Sequence, residues 1–116
     1  MARSLIHVTT GPENPTRAAL GLLVARTALA AGHKVHVFLA GDGVDLLRQE
    51  TRGALTGVGT GNAAEHWDAL VEGGARLFGS GLSAKARGVT VDEPVELASP
   101  DRRGALVVEA DKVVVY

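Results

Sequence analysis

The chain has 116 residues, 12 Lys plus Arg against 13 Asp plus Glu, a net charge of -1 with its four His neutral, and no Cys. That length fits a single domain over residues 1–116, and 46% apolar with 22% charged residues excludes a disordered or fibrous chain. Balanced charge without a basic cluster argues against nucleic acid, and the missing Cys removes disulfides, thiolate chemistry and Cys-ligated metal.

The N-terminal Met1–Ser4 leads straight into Leu5–Thr9, a β-branched run that predicts a first strand, closed by Thr10-Gly11-Pro12. It lacks the long apolar core of a signal peptide. The longest apolar run, Ala18–Ala25, falls well short of the roughly 18–20 residues a membrane helix needs. A cytoplasmic location without a membrane partner is therefore expected. Pro15 to Ala31 predicts a helix, with Pro in its first turn and Gly32 at its end. Leu20, Leu23, Val24, Thr27 and Ala31 share one face, while Ala18, Leu22, Ala25 and Leu29 form a second stripe almost opposite. Either a neighbouring helix or another subunit covers the second stripe, and the reading leans to the subunit interface.

Lys34 to Ala40 predicts a buried strand ending at Gly41-Asp42-Gly43, and a short helical piece from Val44 to about Glu50 follows. Gly53 to Gly61 carries four Gly in nine residues and reads as a loose surface loop. Asn62 caps a helix from Ala63 to Glu72 with Ala63, Trp67, Leu70 and Val71 inward, stopped by Gly73-Gly74. Ala75 to Phe78 is a third strand, Ser83 to Arg87 one or two helical turns, and Val95 to Ala98 a fourth strand. Ser99-Pro100 opens a helix reaching Ala110, and Val113 to Tyr116 is a fifth strand whose Val run predicts burial on both faces. Strands alternating with helices imply βαβ units: a three-layer α/β/α sandwich around a mostly parallel five-stranded sheet.

Ligands of such sheets meet the loops beyond the carboxyl ends of the strands. The first loop, Thr10 to Thr16, offers hydroxyls and helix-start N–H groups that suit an anion, although its two Pro remove donors and no Lys stands beside it, which favours an ordinary turn. It resembles the phosphate loop of flavodoxin-like proteins, but flavin sites stack on aromatics and this chain has four. Gly57-x-Gly59-x-Gly61 does not follow a strand and completes no phosphate-loop motif. His7, His33, His36 and His66 have no metal-ligand spacing, so no metal is expected, and ordinary hydrogen-bonded histidines are the favoured reading. The richest segment is Phe78 to Gly88. Gly79, Ser80 and Gly81 at a strand end let a ligand approach the backbone, the helix start near Ser83 adds N–H donors, and Lys85 and Arg87 add charge. The plainer alternative is a tight turn with Ser80 as filler.

Five passages together resemble the DsrE/DsrF-like family of small sulfur-relay proteins: Thr9-Thr10-Gly11-Pro12 with Arg17-Ala18-Ala19; Gly32-His33-Lys34-Val35 through Phe38-Leu39; Gly41-Asp42-Gly43-Val44; Gly79 through Gly88; and Glu109-Ala110-Asp111-Lys112-Val113. The resemblance implies a five-stranded parallel α/β/α fold, homotrimers or hexamers and, in active members, a Cys that accepts sulfur as a persulfide. Ser80 occupies the place of that Cys, and a serine hydroxyl is essentially never ionised at neutral pH without help. The leading expectation is thus a catalytically silent member without a cofactor, binding a small ligand or anion through Thr10, Gly11, Asp42, Gly43, Gly79, Ser80, Gly81 and Ser83, or serving assembly. A Ser- or His-dependent hydrolase or transferase in the same pocket, and a purely structural oligomer subunit, are the alternatives.

Overall fold

A computed structural model describes residues 2–116. β1 (Arg3–Val8) leads into α1 (Pro15–Ala30), where the Asn14 side chain accepts a hydrogen bond from the Arg17 N–H and Pro15 stands in the first turn. β2 (Lys34–Leu39) is followed by a 3-10 segment (Gly41–Leu47), α2 (Gln49–Ala54) and a two-residue hairpin of β3 (Thr56–Gly57) and β4 (Gly61–Asn62). Asn62 Oδ1 accepts from the N–H groups of Ala64 and Glu65, capping α3 (Ala63–Glu72). β5 (Arg76–Ser80), α4 (Gly81–Arg87), β6 (Val95–Ala98), α5 (Pro100–Glu109) and β7 (Lys112–Val115) complete the chain.

The five longer strands form one parallel sheet in the order β6-β5-β2-β1-β7, the predicted three-layer α/β/α arrangement. On one face Ile6, Val8, Val37, Leu39 and Leu77 pack with Ala18, Leu22 and Ala25 of α1 and Trp67 and Leu70 of α3. On the other, Leu5, Phe38, Phe78 and Ala98 pack beneath Leu106 of α5. Burying each of the larger of these side chains stabilises the fold by roughly 1.5–3 kcal/mol. The second face is thinner, and cations help to cover it: the guanidinium of Arg103 lies 5.0 Å from the Phe38 ring centre, and those of Arg76 and Arg102 lie 5.2 and 5.5 Å from that of Phe78.

Four local expectations change. β7 is exposed along its whole length rather than buried on both faces, because the chain returns past β1 and leaves β7 at the sheet edge. Val71 of α3 points partly to solvent, and the buried inward position is taken by His66. The stretch after Gly53 is bound to the start of α1: the Val58 N–H donates to Thr16 Oγ1 at 3.0 Å, and the Thr60 hydroxyl to the Thr16 carbonyl at 3.1 Å. On α1 the stripe of Ala18, Leu22 and Ala25 is fully buried against the sheet and α3, and Leu29 packs against Gly73 after α3, so the chain itself covers it; of the first stripe, Leu20, Leu23 and Val24 are half-buried and Thr27 and Ala31 exposed.

Candidate functional site

Parallel strands bring the loops after β1, β2 and β5 to one edge, and two glycines decide how closely they approach. A Cβ on Gly43 would overlap the Val8 carbonyl oxygen, and one on Gly11 would overlap that of Asp42, so the first two loops pack backbone against backbone. From the third, the Ser83 hydroxyl accepts from the Gly41 N–H at 3.0 Å, and Ser80 Oγ accepts from the Ser83 N–H at 3.2 Å. Ser80 is thus the cap of α4, whose far end closes on Gly88 in the left-handed conformation at φ 64°. Gly79 and Gly81 stand where Cβ atoms would come to 2.8 Å from a Leu47 methyl and 3.4 Å from the Ala98 carbonyl oxygen.

The eight sequence-derived residues therefore form two contacting groups: Thr10, Gly11, Asp42 and Gly43 at the first two loops, and Gly79, Ser80, Gly81 and Ser83 at the third, joined through Gly41. Their polar groups are mostly satisfied within the chain, by one another or by Glu13, Gly41 and Arg87. The Gly11 N–H donates to Glu13 Oε1 at 2.7 Å, so the first loop fills its own anion position with a carboxylate. Asp42 pairs with Arg87, which also lies 3.7 Å from Asp45, and Arg48 binds Asp45 at 2.7 Å. Arg87 is therefore neutralised within the chain rather than aimed at a ligand, and Lys85 is exposed on α4. Thr10 Oγ1 is buried without a hydrogen-bond partner.

The histidines serve other neighbours. His7 stacks on Phe38 with ring centres 5.4 Å apart, and its Nδ1 accepts from Arg103 Nη2 at 3.0 Å. Burial, then the Arg103 charge, lowers its pKa to about 4, so the ring is neutral and its buried Nε2–H has no acceptor. His66 Nε2 donates to the Thr60 carbonyl at 2.7 Å while Arg26 approaches Nδ1 at 3.3 Å. His33 Nδ1 accepts from the Ala2 N–H at 3.2 Å, and His36 sits edge-on to Phe78. The Ser80 hydroxyl is bound to Ser83 and not to any of these rings.

Cavities of 370, 500, 640 and 390 Å³ open elsewhere on the surface, none lined by the eight residues. The largest lies at the opposite, amino edge of the sheet, between Arg3, Lys34, His36, Arg76 and Arg102. No sequence motif marks it, but four of the five strands of the sheet begin with a cation, at Arg3, Lys34, Arg76 and Lys112. Among the described residues no group of three His, Cys, Asp or Glu could hold a metal ion, and no helix is long and apolar enough to cross a membrane.

The strand order, helices on both faces and three loops gathered at the carboxyl edge define a three-layer α/β/α domain with a parallel sheet. Within that class, residues 3–116 match the DsrE/DsrF-like family, and the chain belongs to it. Its fold is similar to that in the crystal structure of the ychN protein from E. coli, with a TM-score of 0.82 over 100% of both chains at 19% sequence identity. No curated protein matches it.

Proposed function

We propose that this chain is a member of a sulfur-relay-type family that carries no sulfur itself and acts as a non-catalytic assembly subunit, built as a homotrimer or hexamer. The observation behind this reading is residue 80. Its side chain is a hydroxyl whose lone pairs cap α4, and the chain contains no Cys that could accept a persulfide. The donors of Gly11, Gly41 and Ser83 are already satisfied within the chain, which weighs for assembly over an anion held at the carboxyl edge. Val108, 85% exposed, and the exposed Val113, Val114 and Val115 supply apolar surface, and the partner we assign to it is a second copy of this chain.

Two measurements test the proposal. Light scattering after size exclusion should give three or six copies; a monomer at micromolar concentration overturns the assembly reading. Intact-mass analysis after exposure to polysulfide should leave the wild-type mass unchanged, whereas Ser80→Cys should gain a sulfane sulfur that a thiol reductant removes. A Ser80→Cys chain that folds but gains none would overturn the assignment of residue 80 to the sulfur-accepting position.

A further inference from the structure

The amino edge of the sheet concentrates positive charge in a way the whole-chain balance conceals. In an all-parallel sheet every strand starts at the same edge, and the register sets Arg3 beside Lys34 and His36 beside Arg76. Arg102 reaches the same place from α5, and the 640 Å³ cavity between these side chains has the size of a small-molecule site. Its lining holds four fixed cations, Arg3, Lys34, Arg76 and Arg102, against one carboxylate, Glu109. Two further acids stand nearby. Glu96 is shared by Arg76 and Arg102 at 3.4 and 3.3 Å, and Asp111 Oδ2 is engaged by the Arg3 backbone N–H at 2.8 Å, so the four cations face three carboxylates, one of them divided between two guanidiniums and one turned to a backbone donor. The Nε of Arg3 is buried with no acceptor at all.

We propose that this cavity is a binding site for a small oxyanion of charge -2 or more, a phosphate or carboxylate compound, held by Arg3, Arg76 and Arg102 with Lys34 at the rim. Guanidinium forks match the paired oxygens of both anion types, and an acceptor here would satisfy the orphaned Arg3 donor while replacing part of the stretched pairing to Glu96. The same three arginines, after burial itself, hold the pKa of His36 below its ordinary value, with Glu109 opposing them, so the field inside the cavity is positive. This site lies at the edge of the sheet opposite residue 80 and does not use it.

Inorganic pyrophosphate and citrate are the probes, titrated calorimetrically into the full-length chain. At least one should bind saturably, one per chain, and the stronger of the two identifies the anion type. Arg76→Gln combined with Arg102→Gln should weaken it by about tenfold or more, Lys85→Gln on α4 should leave it unchanged, and Glu109→Gln should tighten it. In the wild-type chain the bound anion should also raise the His36 pKa, followed by NMR of its ring protons. If neither probe saturates, or if the double Arg variant and Lys85→Gln bind alike, the site does not exist.

Discussion

His7 is the residue at which burial and charge act most strongly on one side chain: 4% exposed, stacked on Phe38 and bound to a guanidinium. Its folded pKa of about 4 lies below the ordinary 6.5, so between those values the unfolded chain binds more protons than the folded one. The neutral ring's contribution is complete above pH 6.5 and is lost as pH falls toward 4, on the order of 2 kcal/mol. Chemical denaturation of the wild type and His7→Phe between pH 7 and 4 checks this: the variant should lose less stability over that window, and parallel curves would refute the role. Ser80 offers a second test. Its hydroxyl satisfies one α4 donor, so Ser80→Ala should cost about 1 kcal/mol and lower Tm by about 4 °C, whereas Ser80→Asp, another good cap, should lose less.

At the scale of elements, the meeting of β1 with the 3-10 segment depends on Gly43 having no side chain. Gly43→Ala would drive a Cβ into the Val8 carbonyl and should destabilise the fold by about 1–3 kcal/mol, while Gly104→Ala on α5, with open space around it, should be neutral or stabilising; urea unfolding of both separates close approach from a general glycine effect. Capping was legible in the sequence because it is local: Asn62, and Ser99 before Pro100, bind the N–H groups the helix starts leave free. The five strands of the main sheet were legible from apolar runs, with shifted ends. The exposure of β7 was not, since three consecutive Val read as a central strand and only the chain's return past β1 makes it an edge. Of the candidate site, proximity at the carboxyl edge was legible from parallel topology. That Glu13 and Ser83 would consume its donors was not, because those bonds depend on side-chain directions no spacing encodes. The cationic cavity was hidden for a related reason: its arginines come from β1, β5 and α5, and only strand register brings them together.

The whole molecule divides its surface between two edges and one flank. The carboxyl edge is closed on itself by hydrogen bonds, the amino edge carries uncompensated cations, and the flank formed by β7 and the end of α5 is apolar. A net charge of -1 gives little long-range repulsion between copies, so burial of that flank meets no electrostatic barrier. Val113 and Val115 are in register with Leu5 and His7, on the sheet face that α5 covers, and they and Val108 of α5 are exposed, which makes them the residues to test for the proposed contact with a second copy. Val108→Lys combined with Val115→Lys would force charges into that contact at a cost of several kcal/mol, and should weaken association at least about a hundredfold without unfolding the exposed edge. Val71→Lys on α3, a position also partly exposed, should leave association intact. Sedimentation velocity over a concentration series distinguishes them: the double variant should run as a monomer where the wild type and Val71→Lys remain assembled, and an unchanged profile for all three would place the interface elsewhere on the molecule.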